Sequence, residues 1–176
     1  AMLGLGHLGV ACANMLSDVG FKLLGWSRSQ KTISGIDCYA GADGLDEVLR
    51  EAEIIVNLLP NTPETTKLFD ADKFTKCRRG IAFVNPGRGT VFDDQALISA
   101  IDTGQVSAVT LDVFWQEPLP KDHAFWSHPA VFITPHIASV TRIDTGAETA
   151  AKNLKHLMQG GEVAALEGVV DPKLGY

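Results

Sequence analysis

Near the start of the chain, Gly4-Leu5-Gly6-His7-Leu8-Gly9 places three glycines in the spacing G-x-G-x-x-G. That spacing suits a tight turn from a strand into a helix. The first glycine makes the turn, the second lets a pyrophosphate approach the backbone, and the third lets helix and strand lie close together. Such a turn normally follows a strand of about five residues. Only Ala1-Met2-Leu3 precede it. The expectation is a first strand cut to a stub, in a protein without its usual beginning.

The rest of the chain alternates strand and helix patterns, which implies a parallel sheet covered on both faces. Helices are predicted over 8–19, 45–52 and 144–158, and from Asp93 or Asp94 to Ile101. Strands are predicted over 21–26, 54–59, 81–84, 108–114 and 131–134, with Pro60 stopping the second of these. Residues 27–38 read as loop, 63–69 and 71–77 as short helical turns, and 116–129 as a long loop rich in proline and tryptophan. A loop of that length inside a compact domain tends to be functional. The fold class is α/β: a Rossmann-like, doubly wound parallel sheet in three layers, as a single domain over residues 1–176.

Composition narrows the partners. A formal charge of −6 argues against a nucleic-acid backbone. Cys12, Cys38 and Cys77 show no metal-ligand spacing, so no metal is expected, and reduced thiols fit a cytoplasm. No stretch approaches the roughly 18 apolar residues of a membrane span. The opening residues lack the basic flank of a secretion signal.

The end of the second strand carries the next information. A site for NAD usually places Asp or Glu there to hold the adenosine ribose. This chain has Trp26-Ser27-Arg28-Ser29, followed by Lys31. A guanidinium and two hydroxyls suit a 2′-phosphate, which favours NADP(H) while leaving NAD(H) possible. Three more segments follow strands, where ligands bind in open α/β sheets. They hold Arg88 between two glycines, Glu117 before a proline, and His136 after a proline. Each alone is commonplace; their order behind a glycine loop is not.

Together these segments resemble the NAD(P)-binding domain of the D-isomer-specific 2-hydroxyacid dehydrogenases, and within that family the glyoxylate/hydroxypyruvate reductases. The matching stretches are the glycine loop, Trp26-Ser27-Arg28-Ser29, Asn57 to Thr65, Arg88-Gly89, Leu111 to Phe114 with Glu117 to Pro120, and Thr134-Pro135-His136. The resemblance implies NADPH-dependent reduction of small 2-keto acids. His136 would donate a proton to the keto oxygen, Glu117 would fix its tautomer, and Arg88 would grip the substrate carboxylate. The cofactor would be held by Gly4, Gly6, His7, Leu8, Gly9, Ser27, Arg28 and Ser29. Asp112 would accept from the nicotinamide carboxamide, Leu59 and Pro60 would line the adenosine side, and Thr65 closes that matched segment.

Family members pair through this domain, so a homodimer is expected, with no nucleic acid or membrane as partner. In the family a substrate-side segment precedes the glycine loop, and the tail, here 160–176, returns toward it. Without that segment the chain would bind NADP(H) weakly and turn over poorly or not at all. Two rivals stand beside this reading. One is a non-catalytic remnant that binds nucleotide or only dimerises. The other is a β-hydroxyacid dehydrogenase, disfavoured because Lys152 and Lys155 lack that class's glycine context.

Overall fold

The computed structural model describes residues 1–139 and 142–170. It comprises two compact units, Ala1–His136 and Ile137–Tyr176. The first holds β1 (Met2–Leu3), α1 (His7–Asp18), β2 (Leu24–Ser27), β3 (Asp37–Ala40), α2 (Gly41–Glu51), β4 (Ile54–Asn57), α3 (Ala71–Thr75), β5 (Ile81–Asn85), α4 (Asp94–Asp102), β6 (Val106–Leu111) and β7 (Val131–Ile133). The strands form one parallel sheet in the order β3-β2-β1-β4-β5-β6-β7. The winding reverses at β1. Met2 pairs with both Gly25 and Val56, and Leu3 with both Trp26 and Asn57, so this two-residue strand lies at the switch point of the sheet. Its side chains are at most 1% exposed.

The main core is built on apolar strand runs. Phe83 of β5 meets Phe69, Phe74 and Phe92 with ring centroids 5.1 to 5.8 Å apart, in edge-on contacts. Carboxylates fix the starts of two helices. Asp93 accepts from the Ala96 N–H at 3.1 Å ahead of α4, and Asp70 from the Lys73 N–H at 2.8 Å ahead of α3. Asp46 of α2 ties α3 down, accepting from Lys73 at 2.9 Å and Lys76 at 2.7 Å.

The structure corrects several expected boundaries. β3 begins inside the segment read as loop, at Asp37, and runs on to Ala40; it is an edge strand whose register comes from β2. The second strand starts at Leu24, because Phe21 and Lys22 are exposed behind the Gly20 turn. α2 begins at Gly41 rather than Leu45, with Asp43 complementing the helix dipole in its first turn. Residues 63–67 form turns, with Lys67 in the left-handed conformation at φ 52°, but the segment ends in a bridge from Phe69 to Phe92. β6 runs 106–111, pairing with β5 through one register shift near its start, and the chain leaves the sheet at Asp112.

The second unit holds α5 (Ile143–Met158) and a short 3₁₀ turn at Val163–Ala165. Asn153 closes it by donating to the Glu167 carbonyl at 2.9 Å and accepting from the Glu167 N–H at 3.0 Å. Lys152 pairs with the Glu167 carboxylate. Of the tail 160–176, expected to return toward a substrate-side segment, residues 171–176 lie outside the described residues. Among the described residues no helix is long and apolar enough to cross a membrane.

Candidate active site

All strands point the same way, so the loops after β1, β2, β4, β5, β6 and β7 leave one edge of the sheet. The glycine loop turns between β1 and α1. Gly4 adopts φ +101°, and a Cβ there would come 2.7 Å from the Leu58 carbonyl oxygen. A Cβ on Gly9 would come 1.9 Å from the Gly4 oxygen, so helix and loop touch. Gly6 faces open space, with nothing within 4 Å of a Cβ. No side chain caps α1 at Gly6. Unsatisfied N–H groups, the positive end of a helix dipole and an empty approach fit a pyrophosphate.

A cleft of about 650 Å³ opens beside this turn, lined among others by Gly6, His7, Asn14, Lys31 and Thr32. His7 and Leu8 are exposed at the head of α1. At the end of β2, Ser27 is buried and donates to the Ser29 carbonyl at 2.9 Å, while Arg28 and Ser29 are exposed. No carboxylate lies between Trp26 and Ile36. Lys31, which the sequence reading did not assign, donates to the Leu5 carbonyl at 2.6 Å and brings a second cation to the glycine loop.

The loop after β4 is rigid by its own hydrogen bonds. Thr65 donates to the Pro60 carbonyl at 2.6 Å and accepts from the Thr62 N–H at 2.9 Å. Pro60 is half-buried, whereas Leu59 is 6% exposed and belongs to the main core. Leu59 therefore offers a ligand its backbone more than its side chain.

The loops after β5, β6 and β7 meet. A Cβ on Gly89 would stand 2.0 Å from the Phe114 carbonyl carbon, so the Arg88 segment lies directly on the start of the loop after β6. Arg88 is exposed and donates to the Gly87 carbonyl at 2.7 Å. Glu117 accepts from the Phe114 N–H at 2.9 Å through one oxygen and faces His136 Nδ1 at 2.8 Å through the other. Burial pushes the Glu117 carboxyl up. The Phe114 N–H, the His136 imidazole and the Arg88 charge outweigh it and leave it below the ordinary glutamate value. An ionised carboxylate only accepts, so Nδ1 carries the proton of that bond and Nε2 is the nitrogen left for chemistry. His136 itself sits at φ 55°, a left-handed conformation uncommon outside glycine. Such strain gathers at functional sites.

Asp112 is 4% exposed and accepts from the Thr134 hydroxyl, linking the β6 and β7 loops. The structure thus joins Arg88, Glu117 and His136 as one group, with Asp112 beside it. Of the expected nucleotide residues, the Leu59 backbone lies at Gly4 and Ser27 to Ser29 stand at the end of the strand beside β1, while Asp112 stands apart on the loop after β6. Sequence reasoning also passed over a buried pair, Asn57 and Asn85, at the ends of β4 and β5. The signal was present: each is an amide closing an apolar strand run.

Residues 1–138 match the family described as D-isomer specific 2-hydroxyacid dehydrogenase, NAD binding domain. Glyoxylate/hydroxypyruvate reductase A of Serratia proteamaculans is 42% identical over 175 residues, 99% of this chain and 55% of that protein. The protein of the same name from Yersinia enterocolitica is 38% identical over the same shares. The chain therefore spans about half the length of these relatives. Among solved structures, a D-isomer specific 2-hydroxyacid dehydrogenase from Xanthobacter autotrophicus, in complex with NADPH and MES, superposes with a TM-score of 0.94 at 40% identity, over 99% of this chain and 71% of that one. An NADPH-dependent glyoxylate/hydroxypyruvate reductase from Sinorhizobium meliloti, in complex with NADP and sulfate, gives 0.93 at 36% identity, over 99% of this chain and 56% of that one. On the profile match, the glycine cradle and the shared fold, the chain belongs to the D-isomer specific 2-hydroxyacid dehydrogenase family, as its NAD-binding domain.

Proposed function

We propose that this site takes NADP(H) and serves the reduction of small 2-keto acids of the glyoxylate/hydroxypyruvate type. The observation that carries the reading is the Glu117–His136 pair at 2.8 Å with Arg88 on the adjoining loop. Arg88 binds the substrate carboxylate with its forked donors and polarises the neighbouring carbonyl. Glu117 holds the proton on His136 Nδ1 and stabilises the imidazolium, and Nε2 gives its proton to the keto oxygen as that oxygen gains charge. The dinucleotide, when bound, supplies the hydride that reduces the carbonyl carbon. Asp112 is placed by Thr134 to accept from a carboxamide. Arg28 and Ser29, with Lys31 nearby, hold the 2′-phosphate. The relatives solved with NADPH and NADP support that preference.

The 176-residue polypeptide spans 55% of its curated relatives, so binding and turnover are separate expectations for it. Fluorescence titration should give tighter binding of NADPH than of NADH; equal affinities would refute the assignment of Arg28. Glyoxylate-dependent NADPH oxidation should stay well below about 1 per second, the low end of ordinary enzymes. A faster rate would show that the polypeptide is a complete catalyst. A homodimer is part of the same reading, supported by Trp115 and Trp126, 48% and 54% exposed on the loop after β6. Light scattering that returned a monomer at micromolar concentration would remove it.

A further inference from the structure

The ends of β4 and β5 carry two asparagines that are both 0% exposed. Asn57 Nδ2 donates to Asn85 Oδ1 at 2.8 Å. The remaining atoms of the pair all reach backbone in the two ligand loops. Asn57 Oδ1 accepts from the Leu59 N–H at 3.2 Å. Asn85 Oδ1 also accepts from the Gly87 N–H at 3.2 Å, and Asn85 Nδ2 donates to the Arg88 carbonyl at 3.0 Å. The loops are close as well as bonded: a Cβ on Gly87 would stand 2.8 Å from the Asn57 carbonyl oxygen and 3.0 Å from its Nδ2.

Two amides at the ends of a hydrophobic strand pair are costly unless each is satisfied. Here they are, and their partners are the segment ahead of Pro60 and the segment carrying Arg88. A side chain that only ended a strand would bond its own loop. Asn57 instead bonds its own loop and, through Asn85, the neighbouring one. The direction of each bond is fixed by donor and acceptor type, so the pair admits one arrangement.

We propose that Asn57 and Asn85 are positioning residues that set the Leu59–Pro60 nucleotide loop and the Arg88 substrate loop in a single register. The functional half of this assignment rests on the NADP(H) reading above; the structural half does not. A disturbance at Asn57, in one loop, reaches the other through the amide pair.

The test uses the full 176-residue chain and the variant Asn57→Asp. When protonated, the introduced carboxyl donates to Asn85 Oδ1 as the amide does; when ionised, it sets two acceptors face to face. Carbon NMR of that carboxyl follows its protonation. Hydrogen exchange at the Leu59 and Gly87 amides, taken as a ratio to the unsubstituted chain at each pH, reads the loops without ligand. NADPH titration reads the site. With the carboxyl ionised, the Leu59 amide keeps an acceptor, whereas the Gly87 amide should exchange about tenfold faster and NADPH should bind about tenfold more weakly, the scale of one buried hydrogen bond lost. With it protonated, Gly87 exchange and NADPH affinity should both return to within about threefold of the unsubstituted chain. Asn57→Ser, too short to reach Asn85, should show the loosened state at every pH and keeps the test open if the ionised variant unfolds.

Gly87 exchange unmoved by either substitution overturns the single register. Loosened loops with unchanged NADPH affinity overturn the pair's role in binding. An unsubstituted chain that binds no NADPH refutes the cofactor reading instead, and the exchange ratios still decide whether the loops move together.

Discussion

At the scale of single residues, the site depends on which groups are held and which are presented. Arg28 is presented: it is exposed at the end of β2, in a turn with no carboxylate of its own, and its charge reaches the Glu64 carboxylate on the loop after β4. Arg28→Ala should weaken NADPH roughly tenfold to a hundredfold, the loss of a charge-assisted contact, and leave NADH almost unchanged. Paired titrations of the two nucleotides check this. Cys77 is held. Burial pushes its thiol up to about 12, so little thiolate exists at neutral pH. Cys12 and Cys38 are half-buried. A disulfide reagent should therefore modify Cys12 and Cys38 in the folded protein and reach Cys77 only on unfolding. Mass-mapped early labelling of Cys77 would contradict its enclosure.

At the scale of elements, helix starts carry measurable stability. Asp93 caps α4 and pairs with Lys67 at 2.9 Å. Asp93→Ala should cost about 1 kcal/mol in urea unfolding, and Asp93→Asn, which keeps the capping oxygen, should recover most of that. The elements also show what the sequence could carry. β4 and β5 were legible because buried parallel strands are unbroken apolar runs, and Pro60 marks the stop. β3 was not, because Asp37-Cys38-Tyr39-Ala40 has no apolar run and becomes a strand only by pairing with β2. Arg88, Glu117 and His136 were legible since each follows a strand in a sheet whose loops converge. The contact of Lys31 with the glycine loop and the pairing of Asn57 with Asn85 were not. Their meaning depends on which loop or strand lies next door, and that order is a property of the sheet.

At the scale of the whole molecule, carboxylates set the response to acid. Hydrogen bonds from Lys76 and Lys73 hold the Asp46 carboxyl below its ordinary value, and Lys67 does the same for Asp93. A depressed folded pKa adds stability above the unfolded value, about 3.9, which is lost as pH falls through the lower folded one. Asp46→Asn should accordingly lower Tm by about 3 °C near neutrality, and the difference should shrink as pH falls below the ordinary aspartate range. Melting curves of both proteins across that window decide the point.

The strand order has an architectural corollary. Since every strand runs the same way, the returns from helix to strand gather at the rim opposite the nucleotide, at places such as Gly20, Gly80 and Gly104. Nothing stands within 4 Å of where a Cβ on Gly20 would point. A reporter peptide spliced in at Gly20 should leave nucleotide affinity intact, while one spliced in at Gly89 should abolish it. The molecule can be engineered from below without disturbing what happens above.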